Sequence, residues 1–203
     1  MNTELYAAFI LSSTILVLSP GPVNVMVMAH GTTHGWRAAM ATNAGACVSL
    51  GLQLALTALG VSSLLLLLGA AFDLLRWLGA AYLVFLGVQL WRAEAAGAAA
   101  AGSPPPRSSL FWQGFLVSST NPKSLLLFPV LFPRFVDPER PALLQLGVLA
   151  LTFEIISLAG FAALAALAHR LQPILRSPRR ARIRNRVFGG ALIGLGAGMA
   201  LES

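Results

Sequence analysis

Two proline-broken apolar stretches, placed correspondingly in the two halves of the chain, limit what it can fold into. The first holds Ser19, Pro20, Gly21, Pro22, Val23 and Asn24; the second holds Thr120, Asn121, Pro122 and Lys123. Each lies inside a stretch long enough to cross a bilayer, which takes about 20 mainly apolar residues. Proline has no N–H to bond four residues back, and its ring pushes that carbonyl away. Pro20 therefore frees the Leu16 carbonyl, and Pro22 that of Leu18. In hydrocarbon such carbonyls are tolerated only where protein or a polar cavity receives them. A matched pair of interrupted spans points to a binding site near the bilayer midplane.

Composition agrees with burial in lipid. Of 203 residues, 57% are hydrophobic and 10% charged. A soluble domain carries about 25% charged residues, so this chain has too few to coat a water-facing surface. The net charge of +7 then bears on orientation. Seven of the 14 basic residues fall between Arg170 and Arg186 without aromatic interleaving. That run reads as a solvated cytoplasmic loop rather than a nucleic-acid surface. The single cysteine, Cys47, excludes an internal disulfide and a cysteine-built metal site. His30, His34 and His169 show no metal-ligand spacing. No cofactor is expected. No Lys or Arg precedes Arg37, so the first stretch lacks the basic start of a signal peptide and is expected to stay.

The expected fold is an all-α integral membrane protein with six transmembrane helices. The spans are read at roughly 5–29, 39–67, 70–91, 111–132, 142–168 and 187–201. An Ala/Gly/Pro-rich linker, 93–109, separates a first three-helix repeat, 1–92, from a second, 110–203. Arg37, Arg92, Arg107 and the seven arginines of 170–186 share one side, ten basic residues in all. That side is expected to be cytoplasmic, with both termini outside. Three spans per half inverts the second half, so related halves form an inverted repeat with helices 1 and 4 broken. A weaker correspondence joins Leu86-Gly87 to Leu195-Gly196. Gly190, Gly194 and Gly198 repeat every four residues and read as a packing stripe, which makes a homo-oligomer plausible.

Few residues offer chemistry at membrane depth. Glu154 sits in the middle of span five. A carboxyl there is costly to ionise and faces the bundle interior, which suits a proton carrier. Lys123, the only lysine, can hold or release a proton where an arginine cannot. Ser49, Gln53 and Thr57 share one face of span two, either as a pathway lining or as interhelical hydrogen-bond glue. No nucleophile–base pair or metal cluster is visible, so an enzyme is not expected.

These landmarks resemble the lysine exporter (LysE/RhtB) family, and within it the homoserine/threonine efflux branch. The resemblance rests on Ser19 to Asn24, on Asn121-Pro122-Lys123, on Phe132 to Phe135 and on six spans in about 200 residues, and it covers nearly the whole chain. It implies a secondary transporter exporting amino acids or related metabolites across a bacterial inner membrane, driven by proton entry. The expected partners are an amino-acid substrate, protons and lipids. Many members carry a second acid in span two, where this chain has Leu50 and Gln53. The site is expected at Pro20, Gly21, Pro22, Asn24, Gln53, Asn121, Pro122 and Lys123, with Glu154 coupling to protons. A passive small-solute channel and a non-transporting assembly factor are the alternative readings.

Overall fold

A computed structural model describes residues 3–58, 60, 69–92, 105–121, 123–125, 128, 132–174 and 177–201. Its regular elements are helices: α1 (Thr3–Leu18), α2 (Pro22–His34), α3 (Trp36–Ala58), α4 (Gly69–Arg92), α5 (Arg107–Ser119), a 3-10 turn (Phe132–Phe135), α6 (Ala142–Leu171) and α7 (Pro178–Leu201). No strand occurs among the described residues.

The bundle is inside-out relative to a water-soluble protein. On α6, Leu144, Val148, Leu151, Ile155 and Leu158 face outward, while Gln145 and Ser157 are buried with Leu149, Phe153 and Phe161. Buried polar groups elsewhere include Ser13, Asn43, Ser49 and Asn185. An apolar exterior around a partly polar interior is stable only where the surroundings are themselves apolar. By length and composition, Trp36–Ala58 and Ala142–Leu171 can each cross a membrane. So can α1 and α2 taken together, a pair bent by 56°.

Glycines set two close helix crossings. A Cβ on Gly45 of α3 would lie 1.9 Å from the Phe111 carbonyl oxygen of α5, and one on Gly114 would lie 2.1 Å from that of Thr42. Between α4 and α7, Gly87 and Gly189 face each other's carbonyls, each Cβ position falling 2.7 Å from the opposing oxygen. Backbones approach this closely only where no side chain intervenes. The expected packing stripe on α7 holds only at Gly190, whose Cβ position lies 3.0 Å from the Trp91 ring of α4; Gly189 and Gly196 make the backbone contacts, whereas Gly194 and Gly198 face open space.

Element boundaries depart from expectation at two places. Span four begins with Arg107, so the last three residues assigned to the linker form the first turn of α5. Positions 93–104 of that linker, and 59 and 61–68 of span two, lie outside the described residues. The arginine run is mostly helix rather than loop, because α7 starts at Pro178. Ser177 precedes it, accepting the Ala181 N–H at 2.8 Å through its carbonyl and the Arg180 N–H at 3.4 Å through its hydroxyl. A serine cap followed by proline at the first helical position is a strong start signal. Arg184 consequently reaches across and donates to the Thr32 carbonyl at 3.2 Å, and Gln172 donates to that of Thr33 at 3.3 Å. Together they meet carbonyls in the last turn of α2, which has no helical partner for them.

Gly45→Ala is expected to lower the thermal midpoint of the detergent-solubilised protein, at a cost of about 1–3 kcal/mol. Gly194→Ala, facing open space, is expected to change stability by less than about 0.5 kcal/mol. Size-exclusion-detected melting of both variants checks the pair.

Candidate functional site

The first break spans Ser19 to Gly21. Gly21 is extended (φ −165°, ψ 171°) and caps α2 with no side-chain hydrogen bond, and Pro22 occupies the start of that helix. The carbonyls released here are met by polar side chains. The Asn24 amide donates to Val17 O at 2.9 Å and to Ser19 O at 3.1 Å. The Ser19 hydroxyl donates to Leu16 O at 2.8 Å.

The second break has the construction of a helix start. Asn121 Oδ1 accepts the Lys123 N–H at 3.1 Å. The Asn121 carbonyl accepts the N–H groups of Ser124 and Leu125, each at 3.2 Å, and the Ser124 hydroxyl at 3.0 Å. This is N-capping by asparagine, which meets donors that the first turn leaves unpaired. Pro122 lies outside the described residues.

Lys123 joins the two breaks. Its ammonium donates to Leu16 O, to the Ser19 hydroxyl and, at 3.4 Å, to Ser19 O. The freed Leu16 carbonyl is expected to be received by protein or a polar cavity; in the structure it is received by the protein's own lysine, 107 residues away in the chain.

A cavity lies between the breaks, with a volume of about 40 Å³, room for a few water molecules. Gly21 and Asn24 line it from the first break, Asn121 and Lys123 from the second, and Leu50 from α3. The N-terminus of α2, which carries partial positive charge, thus lies at it from the first break, and the N–H groups held by Asn121 lie at it from the second. Its opposite wall is Phe153, Ser157 and Phe161 of α6, with Phe128. Phe128 meets Phe153 edge-to-face at 5.0 Å and Phe132 at 5.4 Å, and Phe132 meets Phe9 at 5.2 Å. These four rings form an apolar plug on one side of the cavity. The α6 wall was missed in the sequence, although Leu149, Phe153, Ser157 and Phe161 repeat every four residues and so share one helix face.

Four of the expected site residues therefore come together: Gly21, Asn24, Asn121 and Lys123. Pro22 is buried in the first turn of α2, and Pro20 is exposed. Gln53 lies in the α3–α5 contact, donating to the Ser49 hydroxyl at 3.0 Å and to Ser118 O at 3.1 Å. Ser49 in turn bonds the Ser119 hydroxyl at 2.8 Å. Ser49 and Gln53 of the polar face of span two thus bond across to α5. Glu154 is next to Phe153 but turned about 100° around the helix. It faces α3, with Oε2 4.0 Å from the Cβ position of Gly51. That oxygen is buried and has no hydrogen-bond partner among the described residues.

Paired helix breaks around a cavity, inside a bundle with a lipid-compatible exterior, define a membrane transport protein. Residues 14–203 match the family described as LysE type translocator, and the chain belongs to that family. It is a multi-pass membrane protein and a transporter rather than an enzyme. It is 35% identical over 201 residues to the homoserine/homoserine lactone efflux protein of Salmonella typhimurium, covering 98% of each chain. It is 34% identical over 200 residues to an uncharacterized membrane protein of Vibrio cholerae, covering 97% of this chain and 96% of that one. It is 28% identical over 155 residues to the leucine efflux protein of Salmonella choleraesuis, covering 75% and 73%. No solved structure matches the chain.

Asn24→Leu leaves the Val17 and Ser19 carbonyls without their amide donor. A loss of about 1–3 kcal/mol is expected for stranding buried acceptors. A melting midpoint equal to wild type would show that these bonds contribute nothing.

Proposed function

We propose that the protein exports amino acids across the bacterial inner membrane, driven by protons moving inward. The observation that carries this reading is the cavity between the two helix breaks. It offers cationic and helix-N-terminal groups suited to a carboxylate, and backbone oxygens suited to an ammonium. Such a pair of opposite polarities matches the zwitterion of an α-amino acid. The relatives named for homoserine, homoserine lactone and leucine efflux support the same substrate class. The substrate carboxylate is assigned to Lys123, Asn121 and the adjoining helix start. Its ammonium is assigned to the Leu16 and Ser19 oxygens, with Asn24 holding that break open.

Six spans arranged as two inverted three-helix repeats, with both termini outside, are part of the proposal. Packing supports it. Exchanging the halves maps α1 onto α5, α3 onto α6 and α4 onto α7. Under that exchange the contact of α3 with α5 becomes the contact of α6 with α1, and both are extensive. The α4–α7 contact maps onto itself, with Gly87 and Gly189 in reciprocal positions. The outward side then carries the phenylalanine plug, and the arginine-rich start of α7 faces the cytoplasm.

Glu154 is proposed as the proton-carrying group. A half-buried acid, one of whose oxygens is buried without a hydrogen-bond partner among the described residues and which lies one residue from the cavity wall on the same helix, is positioned to couple its protonation to α6. Proton uptake from outside and release inside would accompany one export cycle. The closed phenylalanine plug argues for alternating access over a continuous channel.

Efflux from preloaded proteoliposomes, with and without an imposed pH gradient, tests the function. Gradient-dependent release of homoserine or leucine is expected. Glu154→Gln is expected to keep substrate binding and to lose about a hundredfold or more of gradient-driven export, the low end for losing a positioned proton-transfer group. Export by this variant at the wild-type rate would remove Glu154 from the coupling step. Release indifferent to the gradient in wild type would favour a channel.

A further inference from the structure

The three oxygens around Lys123 Nζ form a cage for an ammonium group. Leu16 O, Ser19 O and the Ser19 hydroxyl come from a single break. An ammonium has three N–H donors and no acceptor, so three converging oxygens satisfy it. None of the partners is a carboxylate, so the cage has no fixed negative charge and binds its cation through dipoles. The α-ammonium of an amino acid carries the same charge and the same three donors. The two cations cannot share one cage.

We propose that the Lys123 ammonium is a tethered occupant of the substrate ammonium's site, and that substrate binds by displacing it. This rests on the amino-acid reading of the cavity. Displacement has two consequences. The lysine side chain, anchored beside Asn121, swings from the Leu16–Ser19 oxygens to the incoming carboxylate, which takes its place beside Asn121. The tie between the two breaks is released at the same moment. A cavity of about 40 Å³ is too small for an amino acid, and Lys123 is the side chain that holds its two sides together. Recognition of substrate and loosening of the closed state are then one event. The free amine becomes the primary determinant of specificity, and the carboxylate the secondary one.

Three probes separate these determinants: leucine, its methyl ester with only the amine charged, and N-acetylleucine with only the carboxylate charged. Binding to the purified protein in detergent is measured by calorimetry for wild type and Lys123→Met. In wild type, leucine is expected to bind best, the ester more weakly, and N-acetylleucine not at all. Lys123→Met removes the internal competitor, so the ester is expected to bind about tenfold tighter, as for a cage that the lysine fills at least nine-tenths of the time. The preference for leucine over its ester is expected to collapse, because the carboxylate loses its lysine. Ester binding that is weakened or unchanged in Lys123→Met would overturn the proposal.

A second measurement needs no substitution. Lys123 is the only lysine in the chain, so lysine labelled with ¹⁵N at Nζ reports this one group. Leucine and its ester are expected to shift the signal, and N-acetylleucine to leave it in place. Binding of the ester without a shift would show that the cage does not exchange occupants. If wild type binds none of the three probes, nor homoserine and its lactone, the amino-acid reading of the cavity fails, and the displacement proposal fails with it.

Discussion

Freed backbone carbonyls at membrane depth are the constraint on which this structure depends. Water cannot reach them, and an unsatisfied carbonyl in hydrocarbon costs several kcal/mol by the scale of about 2–7 for an unpaired amide group. The chain meets them with three side chains that the sequence places far apart or out of helical register: Ser19, Asn24 and Lys123. The lysine is the decisive one, because it comes from the other break. Satisfying the carbonyls therefore holds the two halves of the molecule against each other, and the cavity is what remains between them. Its polar lining is inseparable from the irregular backbone that creates it.

The glycine crossings serve the same end at longer range. At Gly45 and Gly114 the backbones of α3 and α5 are in direct contact. This brings Ser49 and Gln53 within reach of Ser118 and Ser119, and fixes the height of the second break relative to α3. Gly79 presses against Thr120 in the same way, its Cβ position 2.5 Å from the Thr120 Cβ. The residue that terminates α5 is thus held from two helices at once. Lys123, three residues further on, inherits a defined position from contacts in which it takes no part.

Much of the fold was legible because its signals are local. Low charge and long apolar runs gave the class, and the prolines marked both breaks to within a residue or two. What depended on tertiary geometry was not legible. The group that receives the Leu16 carbonyl was not legible, since nothing in a linear reading brings residue 123 to residue 16. Gln53 was grouped with the site because it is polar and deep, but a polar face on a helix serves a pathway or a neighbouring helix equally well. The glycine stripe on α7 was identified by its spacing of four. The backbone contacts use Gly189 and Gly196, seven apart, a spacing of two turns that puts both on one helix face. The arginine run hid the start of α7 because its charge outweighed the Ser177-Pro178 signal in a reading tuned to hydropathy.

The separation of Lys123 from Glu154 carries a mechanistic argument. The lysine lines the cavity, and the acid lies beside that lining, against α3. A carboxylate in the cavity would pair with Lys123 and hold it away from the oxygens of α1; such a pair in low dielectric resists separation. It would also attract any cation irrespective of a carboxylate. A dipolar cage facing a lysine discriminates differently, since it returns to a satisfied state by itself when substrate leaves. Keeping the one mid-membrane acid out of the cavity leaves both ends of a zwitterion with an unclaimed partner once Lys123 has moved. In the proposed cycle, proton and substrate act on neighbouring faces of α6, through a helix that both of them touch.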